Sequence, residues 1–227
     1  MYICNDILDA AQDRLHPTKH ARPLASGAVG QNSALAMAFA LLTVGSLGVY
    51  ALPAIFPAVA AYVLLNILYT GALKHIAVVD LALVALFYVL RVIAGGEASM
   101  TYISPWIILC VLFGAFFLTV GKRRAEFAYG ARRKVLDSYS KQGLDALLIA
   151  AATLAISTYG LYSVLGTRST YAVYSTLFVA AAVFRVANRM FEEEGEAEYP
   201  ETLVFKDRWV LLITFLWAVY LFVLVYI

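Results

Sequence analysis

The chain has 227 residues, of which 63% are hydrophobic and 14% charged. A soluble domain carries close to twice that share of charge, so the composition excludes one and makes lipid the solvent for most of the chain. The formal net charge of +2 gives no argument for a nucleic-acid partner. The two cysteines, Cys4 and Cys110, sit in or beside apolar runs at unrelated spacing, which favours packing over a disulfide or a metal site.

We expect no signal peptide at the start, because Met1 to Cys4 is too short for an apolar core and a polar motif follows at once. Tyr2-Ile3-Cys4 reads as the last turn of a hydrophobic segment, so we expect the chain to be incomplete at its N-terminus. Next comes Asn5-Asp6-Ile7-Leu8-Asp9-Ala10-Ala11-Gln12-Asp13. At about 100° per helical residue, Asp6, Asp9 and Asp13 fall within about 60° of one face, with Asn5 and His16 beside them. Carboxylates so crowded repel one another unless a cation lies among them, and hard oxygen ligands at a membrane surface suit Mg²⁺ that also binds substrate phosphates. The alternative is an N-terminal helix whose acids face water. Lys19, Arg22 and the breaks at Pro17 and Pro23 favour a pocket. For His16, donation to a phosphate or to an Asp is favoured over metal ligation.

A bilayer core of about 30 Å needs about 20 apolar residues per helix. That ruler predicts seven spans, at 33–51, 54–73, 78–97, 103–121, 144–165, 170–190 and 208–227, the first two divided at Pro53. Backbone groups in hydrocarbon must be satisfied internally, so the expected fold is an all-α polytopic transmembrane bundle. Alternate loops collect 15 of the 17 Lys and Arg residues, Arg168 being on the other side and Arg91 within a span. The positive-inside rule makes the 15-residue side cytoplasmic, which places the polar motifs at that membrane face.

Between the second and third spans, Lys74 supplies a point charge for phosphate or snorkels to the interface, His75 follows it, and Asp80 either orients Lys74 or meets a metal. Arg91 falls toward the outer end of the third span, where snorkelling competes with an inward role. Gly95-Gly96 allows a turn or a close helix approach and carries no chemistry. After the fourth span, Gly121-Lys122-Arg123-Arg124-Ala125-Glu126 offers three cations to phosphate groups, or else anchors the helix through a Lys122–Glu126 pair. The connection with Arg132-Arg133-Lys134 and Asp137-Ser138-Tyr139 reads as surface and headgroup contact, and the acidic run from Glu192 to Glu198 as a solvated loop. No Ser-His-Asp or Cys-His arrangement suggests covalent catalysis.

The pattern Asn5-Asp6-x-x-Asp9-x-x-x-Asp13, leading to His16-Pro17-x-Lys19-x-x-Arg22-Pro23-x-Ala25-Ser26-Gly27, resembles the UbiA superfamily of intramembrane transferases. Within it, Leu73-Lys74-His75, Asp80, Leu90-Arg91-Val92-Ile93-Ala94-Gly95-Gly96 and Gly121-Lys122-Arg123-x-x-Glu126 are similar to the decaprenyl-phosphate phosphoribosyltransferase branch. Lys206-Asp207-Arg208 is similar to it near the last helix. In that superfamily the Asp-rich motif ends the second of nine helices, so the resemblance implies two further spans upstream and seven here. It also implies one membrane-embedded transferase domain over 1–227. Ordinary members carry a second Asp-rich motif where this chain has its Lys122 cluster.

The activity implied is transfer of a 5-phosphoribosyl group from phosphoribosyl diphosphate to a polyprenyl phosphate, a step toward cell-envelope arabinan precursors. Mg²⁺ would be held by Asp6, Asp9 and Asp13, which with Lys74 form the expected catalytic set. Asn5, His16, Lys19, Arg22, His75, Asp80, Arg91, Lys122, Arg123 and Glu126 would contact substrate at the cytoplasmic face of the cell membrane. Self-association into a homo-oligomer is left open. Two rivals remain: a prenyltransferase acting on an aromatic or quinone precursor, and a non-enzymatic membrane protein or inactive fragment.

Overall fold

The computed structural model describes residues 3, 6, 7, 10, 13, 14, 19–128, 134–167, 169–192 and 205–226, with the backbone alone at Lys19 and Lys134. Among these residues the chain is helical, and seven segments are long and apolar enough to cross a bilayer. The principal helices are α1 (Gln31–Ala51), α2 (Phe56–Gly71), α3 (Val79–Ser99), α4 (Pro105–Ala128), α5 (Lys141–Leu161), α6 (Thr176–Glu192) and α7 (Arg208–Tyr226). A 3-10 turn at Pro53–Ile55 leads into α2, a π turn at Tyr162–Gly166 continues α5, and a 3-10 helix at Thr170–Ser175 precedes α6. The seven-span expectation therefore holds. At 1.5 Å per residue, a helix of 21 residues such as α3 is about 30 Å long, the thickness of the hydrocarbon layer.

The bounds differ from the hydropathy ruler in an instructive place. It ends the fourth span at Gly121, but α4 runs on to Ala128 through Lys122, Arg123, Arg124 and Glu126. Those charges do not stop the helix because Arg123 and Arg124 are buried against acidic partners described below.

The chain forms two compact units, Met1–Pro57 and Ala58–Ile227. In the first, Gly27 turns the chain at φ +80°, a left-handed conformation that glycine adopts without a Cβ penalty, and Gly30 caps the start of α1. Only Ala34 of α1 is buried, so the apolar surface of this helix faces outward, as lipid allows.

In the second unit, α4 packs most extensively on α5 and then on α3, while α6 packs on α5 and α7. Leu81, Phe117, Val120, Leu148, Val186, Met190 and Val210 form the core, and Ala151 and Ala152 supply small surfaces on α5 that let the backbones approach. Tyr62 and Tyr69 of α2 meet Phe87 of α3 at ring distances of 5.1 and 5.9 Å. The Trp217 indole N–H donates to the Tyr159 hydroxyl, which also bonds Ser175, both at 2.8 Å, tying α5 and α7 to the 3-10 helix before α6. Asp207 starts α7 by accepting from the amides of Trp209 and Val210, and it also accepts from Arg185 of α6 at 2.9 Å. Burial works to raise its pKa, but the Arg185 hydrogen bond, the two amides and the Arg185 charge outweigh it and hold the carboxyl below its usual range.

The glycine pair of α3 divides its labour. Among the described residues a Cβ on Gly95 would meet nothing, whereas one on Gly96 would overlap the Ile103 side chain. Gly96 thus lets the chain fold back over the end of α3, where Met100 takes a left-handed φ of 52° as the closing residue.

Candidate active site

In the first unit, the Asp-rich segment meets the basic segment after it. Arg22 donates through one nitrogen, Nη1, to Asp6 Oδ1 at 2.9 Å and to Asp13 Oδ2 at 2.8 Å. Arg14 Nε donates to the Ala25 carbonyl at 3.2 Å, a second tie between the same stretches. Asp13 is buried, while Asp6 and Arg22 are about two-fifths exposed, with 38% and 42% of their side-chain surface open. Two carboxylates aimed at one nitrogen are a donor set for a single positive charge, and their hard oxygens fit a small divalent cation as well as a guanidinium. Asn5, Asp9 and His16 lie outside the described residues, as does the Lys19 side chain. Among the described residues no group of three His, Cys, Asp or Glu side chains is gathered for a metal.

In the second unit, the turn between α2 and α3 is a 3-10 helix, Leu73–His75, with Lys74 and His75 both exposed. Val78 caps the start of α3, and its φ of 67° is unusual for a β-branched residue. The Val78 amide donates to the Tyr139 hydroxyl at 2.6 Å, and that hydroxyl donates to Asp80 Oδ1 at 2.8 Å. Arg123 Nη2 donates to the other oxygen, Asp80 Oδ2, at 2.7 Å, and Arg123 Nη1 to Glu126 Oε2 at 2.5 Å. Asp80 is wholly buried and Arg123 is 5% exposed. Both carboxylate oxygens of Asp80 are thus occupied from within the protein, and both terminal nitrogens of Arg123 rest on carboxylates. Arg123 Nε is buried without a hydrogen-bond acceptor among the described residues.

Burial, with the Asp80 carboxylate alongside and against the opposing Val78 amide, pushes the Tyr139 phenol well above its ordinary range. It stays a neutral donor at any physiological pH. Tyr139 is the residue that sequence reasoning passed over as a surface contact. Its partners lie about sixty residues away in the chain, and no local spacing announces them.

Of the remaining expected residues, Lys122 is half-buried and Glu126 joins the Arg123 pair. The neighbouring Arg124 donates to Asp145 of α5 and, at 2.7 Å, to the Met190 carbonyl of α6, with its guanidinium 4.7 Å from the Phe191 ring centroid. It fastens three helices together. Arg91 stands apart, about 16 Å further along α3 than Asp80 at 1.5 Å per residue. It donates to the Tyr62 hydroxyl at 3.0 Å and lies over the Tyr62 and Tyr88 rings at 5.5 and 5.3 Å. Beside it is a cleft of about 320 Å³ lined by Ala58, Val59, Tyr62, Leu90, Arg91 and Ala94.

Comparison with known proteins agrees with the motifs. The sequence pattern of the UbiA prenyltransferase family matches residues 1–206. Decaprenyl-phosphate phosphoribosyltransferase of Mycobacterium tuberculosis is 32% identical over 225 residues, covering 96% of this chain and 74% of that protein. The protein of the same name from Mycolicibacterium smegmatis is 35% identical over 235 residues, covering 95% and 72%. That from Corynebacterium glutamicum is 32% identical over 241 residues, covering 100% and 72%. With seven apolar helices and a match over most of its length, this chain is a multi-pass membrane transferase and belongs to the UbiA prenyltransferase family.

Proposed function

We propose that the protein transfers a 5-phosphoribosyl group from phosphoribosyl diphosphate to a polyprenyl phosphate at the cytoplasmic face of the cell membrane. The bond between the anomeric carbon and the diphosphate oxygen breaks, and its electron pair leaves with diphosphate. An oxygen of the lipid phosphate forms the new bond to that carbon. This oxygen is already anionic at neutral pH, so positioning and charge stabilisation suffice without a strong general base.

The observation that carries the reading is the cationic stretch Lys122-Arg123-Arg124, at the position where ordinary members of the family have their second Asp-rich motif. This stretch offers no carboxylates for a second metal cluster, and because Arg123 and Arg124 are held by Asp80, Glu126 and Asp145, cations elsewhere must answer a donor and an acceptor that both bear phosphates. The name shared by the mycobacterial and corynebacterial relatives supports a phosphoribosyl group transferred to a polyprenyl phosphate. In the first unit, Asp6 and Asp13, with Asp9, would hold Mg²⁺, which when bound neutralises charge on the departing diphosphate. Arg22, already poised between the two, answers the same negative charge. In the second unit, the exposed Lys74 and His75 are the groups offered to phosphate, and Arg123 supports Asp80 from within.

Membranes bearing the protein, given labelled phosphoribosyl diphosphate and polyprenyl phosphate, should form labelled phosphoribosyl lipid. A parallel mixture of prenyl diphosphate and an aromatic acceptor should give nothing. Product from the second mixture alone would replace this reading with an aromatic prenyltransferase.

A further inference from the structure

The turn that carries Lys74 and His75 is held by a residue far from it in the chain. Val78 occupies a positive-φ backbone conformation, φ 67° and ψ −39°, that a β-branched residue keeps only when its surroundings enforce it. What surrounds it is the Tyr139 hydroxyl, which accepts the Val78 amide at 2.6 Å and donates to Asp80 at 2.8 Å. Asp80 is in turn fixed by Arg123, and the Asp80 amide bonds back to the Ile76 carbonyl at 3.0 Å. The 3-10 helix Lys134–Ser138, which ends just before Tyr139, lies against the 3-10 helix Leu73–His75. One hydroxyl therefore joins the loop after α4 to the loop before α3. Without it, the Val78 amide and one oxygen of buried Asp80 would lose their partners together.

We propose that Tyr139 is a positioning residue: through Val78 and Asp80 it fixes the turn that presents Lys74 to a substrate phosphate. This rests on the phosphate-binding role given to Lys74 above. The clamp accounts for a strained residue beside an exposed lysine, since strain of this kind persists where geometry is prescribed by function.

The test uses the full chain in lipid nanodiscs with Mg²⁺ and inorganic diphosphate as the probe. Tyr139→Phe should weaken diphosphate binding about tenfold, the scale of a misplaced charge-assisted contact. In a Lys74→Ala background the same change should have almost no further effect, because its influence travels through Lys74. The Val78 amide should exchange its hydrogen faster in Tyr139→Phe, while amides of α6 and α7 keep their rates. Val78→Gly, which removes the strain, should restore much of the lost binding. Wild-type affinity in Tyr139→Phe, or losses that multiply with those of Lys74→Ala, would overturn the proposal. Failure of the wild type to make phosphoribosyl lipid would strike the reaction reading alone, because diphosphate binding and exchange judge the clamp without it.

Discussion

Arg123 and Asp80 meet at 2.7 Å with both side chains buried, joining α4 to the start of α3. A pair so placed is weak evidence for stability in itself, since removing two charges from water offsets most of their attraction. Its asymmetry is what matters. Arg123→Gln should destabilise the chain by about 3–5 kcal/mol, because Asp80 is left charged and unpaired. Asp80→Asn combined with Arg123→Gln should recover most of that loss. Thermal unfolding in detergent micelles across the four-member cycle measures both effects.

Asp6 and Asp13 make a separable prediction about metal. If they hold Mg²⁺, Asp6→Asn and Asp13→Asn should each raise the Mg²⁺ concentration for half-maximal transfer at least about tenfold, the scale seen for losing even an outer partner of a metal ligand. Asp13 should show the larger effect, being buried where Asp6 is partly open. A Mg²⁺ titration of labelled transfer decides it, and full activity in both variants at unchanged Mg²⁺ would remove the site.

The glycine pair gives a test of packing. Gly95→Ala meets open space on a helix and should be neutral or stabilise by up to about 1 kcal/mol. Gly96→Ala forces Ile103 from its place and should destabilise by about 1–3 kcal/mol. Comparing the two unfolding midpoints checks the opposite signs.

Asp207 predicts an acid limit. Its folded pKa lies below the ordinary 3.8, so its contribution is complete above that value and is lost as pH falls through the lower, folded pKa. Unfolding followed by tryptophan fluorescence should therefore show stability falling with acidification below about pH 4. Asp207→Asn should flatten that part of the profile and cost about 1 kcal/mol at neutral pH, through the Arg185 contact and the helix start.

The spans were legible in the sequence because lipid imposes a simple ruler, and the helical spacing put Asp6, Asp9 and Asp13 on one face, of which Asp6 and Asp13 are described and converge on Arg22. The end of α4 was not legible. Hydropathy registers Arg123 and Arg124 as charge and has no view of Asp80, Asp145 or the Met190 carbonyl that receive them. Tyr139 was hidden for the same reason, because its meaning lies in two partners on a distant turn. Asp80 was noticed, but its two alternatives could be weighed only once both oxygens were seen to be occupied.

The single nitrogen that Arg22 offers to Asp6 and Asp13 bears on the order of events in assembly. An internal counter-ion lets the Asp6 and Asp13 carboxylates converge without a metal between them, unlike small domains that stay unfolded until loaded. Under the proposed Mg²⁺ binding, the ion would trade places with a side chain that is already there, so chelation should leave the fold standing.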